Sequence, residues 1–277
     1  MNWFTALANL SSESQGHVLM TVLDTRGSSP RDVGTKMVVS KEGIFDTIGG
    51  GALEYQCIET ARELLSRNQQ VQHTETFNLG KDLKQCCGGV VSVFFEVFPA
   101  SNFTLNIFGA GHIGQALTKL LADIDCTVHL FDSRNELLKQ TYSKNIKTHH
   151  LTEPEIAIEA CLANSYFLVM THDHALDQQL CEAILARGDS NYCGVIGSRT
   201  KGIKFRQRLL KKGFSQEELV QLTCPMGLSD LKTKIPMEIA ISVLAELLIL
   251  RDKQQQDSSI NDTESEDNNI IRLENRD

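Results

Sequence analysis

Three glycines with the spacing GxGxxG stand in the run Gly109-Ala110-Gly111-His112-Ile113-Gly114. The run directly follows an apolar stretch that predicts a strand and precedes a pattern that predicts a helix. In that context the first glycine permits a tight turn, and the second lets the backbone approach a pyrophosphate. The third lets the helix pack closely on the sheet. Free N–H groups at the helix start favour an anion. Gly109, Gly111 and Gly114 therefore predict a site for a phosphate-bearing ligand.

An acidic residue at the end of the next predicted strand completes this pattern. Asp132 lies eighteen residues beyond Gly114, where dinucleotide-binding sheets place the carboxylate that bonds a ribose hydroxyl. Arg134 is a residue type that accommodates a 2′-phosphate, so NAD and NADP both stay open as ligands. A fold of this kind can also exist without a nucleotide, because fold does not fix function.

Two further loops are expected at the same edge of the sheet. Thr171–His174 and Gly197–Lys201 each follow a predicted strand, and ligands in such sheets bind outside the carboxyl ends of the strands. Ser198 and Arg199, with Lys201 beside a helix start, could hold a second anionic group.

The same segment raises the question of a metal site. His172 and His174 lie near Asp173 and Asp177, but two histidines without a third placed ligand make a weak metal pattern. Such residues more often cap a helix or bond locally. The sequence therefore predicts no metal site.

Two features of the first hundred residues are candidates for ligand binding. Gly49-Gly50-Gly51 precedes a helical pattern. The triplet predicts either a nest of backbone N–H groups that binds an anion or close packing of the helix on a strand. Cys86 and Cys87 precede Gly88-Gly89, which indicates either an accessible thiol that could bind a soft ligand or a pair of buried cysteines. Neighbours in an extended chain point to opposite sides, so which of the two would face a ligand stays open.

The elements that must position these residues divide the chain in two. Residues 1–99 predict a small α+β domain, and Pro99–Asn102 breaks the pattern. Residues 103–254 alternate strands with helices, which predicts an α/β domain with a Rossmann-like parallel sheet. Residues 255–277 are polar and acidic and predict a disordered tail. The predicted strands cover residues 17–24, 36–40, 44–48, 90–98, 103–108, 127–131, 147–150, 166–170 and 192–196.

Composition narrows the class of protein. The chain has 277 residues, of which 41% are hydrophobic and 22% charged, as in ordinary water-soluble domains. No apolar run is long enough to cross a membrane, and the first twenty residues lack Lys and Arg, so we expect a cytoplasmic location. The net charge is −8, of which residues 257–277 carry −5. The remainder is nearly neutral, which argues against nucleic acid as a partner. The chain has eight cysteines, and in the cytoplasm they need not form disulfides.

Taken together, the motifs resemble the XdhC/CoxI family, accessory proteins of xanthine dehydrogenase and related molybdenum hydroxylases. The resemblance runs from about Thr21 to Leu250. The sequence departs from many relatives at Ser229–Leu231, which stands where they have a glycine-containing turn. Several runs in the right order are more specific than the glycine motif alone. The matching runs are Gly27–Arg31, Gly34–Met37, Thr47–Gly51 with Leu53-Glu54, Cys87–Gly89, Gly109–Gly114, Phe131–Arg134, Thr171–Asp177, Gly197–Lys201 and Cys224–Gly227.

The resemblance implies a chaperone without turnover of its own. Such a protein binds molybdenum cofactor (molybdopterin), protects it while a cysteine desulfurase replaces an oxo ligand by sulfur, and passes it to apo-xanthine dehydrogenase, a step of purine catabolism. The cofactor's phosphate would suit the glycine-rich loops, and a thiolate such as Cys87 could approach its soft metal. The final predicted helix, which Pro236 opens and which ends at about Gln254, could serve a homodimer or the core. Which hydroxylase is served stays open.

An NAD(P)-dependent oxidoreductase is the alternative from another class. Its motivation is the Gly109–Gly114 loop with Asp132. It lacks a proton donor with dehydrogenase-like spacing, such as a Tyr-x-x-x-Lys pair. A binding module that senses a nucleotide is a third possibility.

Overall fold

The computed structural model describes residues 1–80 and 88–274, apart from the side chains at 255 and 257–274. The chain divides into two compact units. The first comprises Met1–Asn102 with Asp125–Thr127, and the second comprises Phe103–Ile124 with Val128–Asp277. The domain limits expected from the sequence, 1–99, 103–254 and 255–277, stay a prediction.

The first unit is a five-stranded antiparallel sheet with a helix on each face. The strand order is β3-β2-β1-β5-β4. Along β5 the burial alternates strictly, so one face of the strand meets the helix α2, whose buried residues recur at helical spacing. The helix α1 supports a smaller cluster around Leu19 and Val38. The elements are α1 (Trp3–Ser12), β1 (His17–Arg26), β2 (Lys36–Ser40), β3 (Ile44–Asp46), α2 (Gly51–Ser66), β4 (Gln72–Asn78) and β5 (Val90–Phe98).

Strand β4 is an addition to the elements expected from the sequence. Its residues are QHTETFN, and only Phe77 among them is buried. It pairs with β5 alone and forms an edge of the sheet. An edge strand of polar residues carries little apolar alternation, so the pattern could not reveal it.

The second unit is the expected α/β fold with a six-stranded parallel sheet. Its strand order is β11-β10-β9-β6-β7-β8, which is the doubly wound order with a switch point between β6 and β9. The elements are β6 (Thr104–Phe108), α3 (His112–Leu121), β7 (Thr127–Asp132), α4 (Asn135–Leu138), β8 (Ile146–His150), α5 (Pro154–Glu159), β9 (Tyr166–Val169), α6 (His174–Arg187), β10 (Tyr192–Val195), α7 (Arg199–Lys211), β11 (Leu222–Thr223) and α8 (Pro236–Glu274).

The sequence predicts capping boxes at two helix starts, Thr152 with Glu155 and Ser215 with Glu218. Ser215 and Glu218 form the reciprocal bonds just before the short 3-10 helix Glu218–Gln221. The prediction for Thr152 is wrong, because α5 has Glu153 as its N-cap residue and no side-chain capping bond. Helix α8 continues to Glu274, beyond the end expected near residue 254. In the described ranges no helix is both long and apolar enough to cross a membrane.

Candidate functional site

The three glycines of the loop between β6 and α3 have different surroundings. A Cβ at Gly109, where φ is +123°, would overlap the carbonyl oxygen of Met170. A Cβ at Gly114 would overlap the carbonyl oxygen of Gly109. A Cβ at Gly111 would meet nothing within 4 Å. The first and third glycines thus serve close packing, and the second leaves open space beside the helix start, as the motif predicts.

Asp132 lies at the end of β7 and holds this loop in place. Its Oδ2 accepts a hydrogen bond from the Ala110 amide at 2.7 Å and from Arg134 Nη2 at 2.9 Å. Its Oδ1 accepts from the Arg134 amide at 2.8 Å and from Arg134 Nε at 2.9 Å. Burial alone would raise the pKa of Asp132, but the bonds from Arg134 and Ala110 outweigh it and lower that pKa.

These four bonds decide what Asp132 can offer a ligand. A carboxylate has about four lone-pair positions, and Asp132 is 2% exposed. A ribose hydroxyl would have to displace a donor that the chain itself supplies. Arg134 keeps a third of its side chain exposed, so the outward-facing group at this position is a cation.

The loops after β9 and β10 are joined by a buried ion pair. Asp177 is fully buried on α6, and Lys201 Nζ on α7 lies 2.7 Å from its Oδ2. Thr171 donates to Asp177 Oδ1 from its amide at 3.1 Å and from its hydroxyl at 2.7 Å. Lys201 also donates to the carbonyl of Ile196 at 2.8 Å. The sequence named Asp177 only as a doubtful metal ligand and missed this pairing.

Ser198 and Arg199 are brought to the same edge of the sheet as the glycine-rich loop. Ser198 is the N-cap of α7, and its side chain accepts from the Lys201 amide at 3.2 Å. Arg199 is exposed and lines a cavity of about 430 Å³ together with the turn Pro225–Gly227. Asp173 caps α6 by accepting from Ala175. In the described part of the chain no three His, Cys, Asp or Glu residues are grouped as metal ligands.

In the first unit, the glycine triplet already holds a carboxylate. Glu54 Oε2 accepts from the Gly50 amide at 3.0 Å and the Ile48 amide at 3.1 Å, and also from the Thr47 hydroxyl. The nest geometry that the sequence suggested is therefore present, with an anion from the chain's own helix α2 in it. The close packing at Gly49 is against a loop and not of helix on strand, because a Cβ at Gly49 would lie 2.6 Å from Pro30 Cβ.

The loop Arg26–Arg31 brings the glycine segments of the first unit together. A Cβ at Gly89 would overlap the carbonyl oxygen of Ser28, while Gly49 packs on Pro30 of the same loop. Among the described residues, none lies within 4 Å of a Cβ placed at Gly88. Three separate motifs thus meet where strand β1 ends and strand β5 begins.

Cys86 and Cys87, the two candidate thiols, lie outside the described residues. Among the cysteines expected in the core, four are buried and Cys161 is half-buried. Burial raises the pKa of Cys57 to about 12, which keeps it a thiol at neutral pH. The four buried ones are Cys57, Cys126, Cys181 and Cys193.

Comparison with known proteins gives matches over both units. A family model described as the XdhC Rossmann domain matches residues 105–247, and one described as the XdhC and CoxI family matches residues 10–78. The chain is 30% identical over 256 residues to the uncharacterized protein YqeB of Escherichia coli, covering 90% of this chain and 46% of that protein. The chain thus spans about half the length of this relative.

A second relative carries a functional name. The chain is 24% identical over 299 residues to the molybdenum cofactor insertion chaperone PaoD of Escherichia coli, covering 89% of this chain and 87% of that protein. Among solved structures, a crystal structure described as a xanthine dehydrogenase from Bacillus halodurans matches with a TM-score of 0.50 and 20% identity, covering 93% of this chain and 98% of that one. The structural match supports the fold.

Proposed function

Because this chain belongs to the XdhC family, we propose that it is an accessory protein that binds molybdenum cofactor, protects it during sulfuration and delivers it to apo-xanthine dehydrogenase. A cysteine desulfurase is the proposed source of sulfur, and the working form is a homodimer. If xanthine dehydrogenase is the client, the protein serves purine catabolism in the cytoplasm. The relative with a chaperone's name supports the cofactor part of this proposal.

The observation that carries the proposal is the meeting of three motifs in the first unit. Gly89 packs beneath Ser28, Gly49 packs on Pro30, and a Cβ at Gly88 would meet none of the described residues. Cys87 is the neighbour of Gly88 in sequence, and thiolates are preferred ligands of soft metal centres. We therefore assign the metal end of the cargo to the segment Cys86–Gly88.

The phosphate of the cargo needs free N–H donors, and the two glycine loops differ in this respect. At Gly50 the amide is bonded to Glu54. Near Gly111 the Gly109 amide is bonded to the Phe131 carbonyl and the Ala110 amide to Asp132, but the space beside Gly111 itself is open and the start of α3 favours an anion. Gly109, Gly111 and Gly114 with Arg134 are thus our assignment for an anionic ligand of the second unit.

An NAD(P)-dependent oxidoreductase is less well supported by this geometry. Recognition of a ribose diol relies on an acidic side chain with free acceptors. In Asp132 both oxygens accept bonds from Ala110 and Arg134. We therefore do not assign hydride transfer to this site.

Activation of apo-xanthine dehydrogenase in a defined mixture tests the proposed role. The mixture contains molybdenum cofactor, a cysteine desulfurase with cysteine, and either the unaltered chain, Cys86→Ala or Cys87→Ala. We expect the unaltered chain to raise the yield of active enzyme and Cys87→Ala to lose most of that gain. Equal activation by Cys87→Ala and the unaltered chain would remove the thiol from the proposal. No gain with the unaltered chain would contradict the delivery role.

A further inference from the structure

We infer that a cavity between helices α6 and α7 binds a phosphorylated planar heterocycle, a ligand of the size and chemistry of a nucleoside monophosphate. This inference is independent of the molybdenum role proposed above, because it rests on residues of the second unit that the proposed role does not use. The cavity is an open groove of about 550 Å³, a volume within the 300–1,000 Å³ typical of small-molecule sites. It opens at the carboxyl ends of β9 and β10, where ligands of doubly wound sheets bind.

The charge of the cavity selects an anion. Lys201, Lys204 and Arg208 line it, together with His174 and the hydroxyl residue Thr200. None of the described lining residues is acidic. The carboxylate of Asp177, which contacts the lining residue Lys201, is buried and already paired with it.

Lys201 keeps a donor for a ligand in spite of that pairing. An ammonium group has three N–H donors. Asp177 takes one and the carbonyl of Ile196 takes another, which leaves the third on a side chain that is 14% exposed and lines the cavity. A donor held in this way needs little further ordering to bond a phosphate oxygen.

Lys204 and Arg208 supply the net positive charge. They are four residues apart on α7 and so stand on one face of the helix. Arg208 donates to the neutral amide oxygen of Gln178 at 3.1 Å. Over the described part of the chain, no carboxylate forms an ion pair with either residue. A phosphate dianion would neutralise both and accept charge-assisted hydrogen bonds from them.

Part of the lining is apolar. Ile196 and Phe205 border the cavity beside Thr171, Gly197 and Ser198. Phe205 is 2% exposed and its ring centroid lies 5.3 Å from Lys201 Nζ, so the apolar surface open to a ligand comes from Ile196 and the aliphatic stems of the cationic side chains. Phosphate alone would leave this surface and most of the volume unfilled. A planar ring joined to the phosphate would bury against it, which is why we assign a phosphorylated heterocycle.

Calorimetric titration of the full chain with adenosine 5′-monophosphate, inorganic phosphate and adenosine tests the inference. We expect the monophosphate to bind more tightly than phosphate, and adenosine to bind least. The double variant Lys204→Gln/Arg208→Gln should weaken binding of the monophosphate at least about tenfold, the effect of losing charge-assisted bonds. Lys211→Gln, a cation of the same helix that does not line the cavity, is the matched control and should change the affinity less than about twofold.

Several results would overturn the inference. One is the absence of monophosphate binding to the unaltered chain at millimolar concentration. Another is that inorganic phosphate binds as tightly as the monophosphate, which would show that the heterocycle contributes nothing to the affinity. A third is an equal loss in Lys211→Gln and the double variant, which would mean a diffuse charge effect. Weakening by Gly111→Val without weakening by the double variant would place the ligand at the glycine-rich loop instead.

Discussion

Lys201 Nζ and Asp177 Oδ2 lie 2.7 Å apart in an ion pair whose carboxylate is fully buried. The pair joins the loop after β10 to the first turn of α6, and Thr171 adds two further bonds to the same carboxylate. The edge of the sheet where ligands are expected is thus held by internal charges. Asp132 does the same for the glycine-rich loop.

Breaking this ion pair should destabilise the second unit. Lys201→Met leaves Asp177 buried without its cation, which costs about 3 kcal/mol or more of unfolding free energy. Urea unfolding measures it. The control is Arg26→Ala, which removes an exposed ion pair with Asp24 and should cost less than about 1 kcal/mol. Equal losses of unfolding free energy in the two variants would show that the buried pair does not stabilise the second unit more than an exposed pair does.

Two adjacent glycines in the first unit should respond differently to alanine. At Gly89 a Cβ would overlap the carbonyl of Ser28, whereas at Gly88 it would meet none of the residues that the structure describes. Gly89→Ala should lower the unfolding free energy by about 2 kcal/mol, because the backbone must move, and Gly88→Ala should change it by less than about 0.5 kcal/mol. Thermal unfolding of both variants measures this. Equal tolerance would contradict the close packing of the loop Arg26–Arg31 on Gly89.

The internal carboxylate of the glycine triplet should be replaceable by a free anion. Glu54→Ala removes the acceptor from the Gly50 and Ile48 amides and should cost about 1–3 kcal/mol. Added sulfate should restore part of that loss, since the nest is then open to an anion. Thermal unfolding with and without sulfate measures the effect. Glu59→Ala, an exposed position on the same helix, is the control and should show neither change. A sulfate response equal in both variants would contradict the nest.

His129 should make the protein sensitive to acid. Burial, with His149 and Lys147 nearby, lowers its pKa from 6.5 to about 4. As the pH falls, His129 therefore takes up its proton at a higher pH in the unfolded chain than in the folded one. The stability that depends on neutral His129 is fully present above pH 6.5 and is lost as the pH falls to about 4. His129→Gln should reduce the loss of unfolding free energy over that window by about 2 kcal/mol. Urea unfolding at pH 7.5 and pH 4.5 measures it, with His172→Gln at an exposed position as the control. An unchanged loss in His129→Gln would contradict this assignment.

Much of the fold follows from the sequence because its burial patterns are strong. The alternation in Val90–Phe98 and the glycine motif after Thr104–Phe108 identify two strands that the structure contains. Polar stretches carry no such pattern, which is why Gln72–Asn78 was missed and why α8 was expected to end before Glu274.

The chemistry at the site is harder to predict because it depends on which donors reach each acceptor. Spacing places Asp132 at the end of a strand, but it does not tell a ribose acceptor from a residue that holds its own loop through Ala110. It also does not show that Glu54 would fill the glycine triplet. Lys201 and Asp177 are twenty-four residues apart, and only the parallel pairing of β9 with β10 brings them together.

The cargo itself provides the most direct test of the proposed role. The full chain is purified without oxygen from a host supplied with molybdate, and molybdenum and the oxidised pterin fluorophore are measured per chain. The proposal predicts pterin and molybdenum together in near-stoichiometric amounts. A chain that carries a nicotinamide dinucleotide and no pterin would contradict it and would support the oxidoreductase instead.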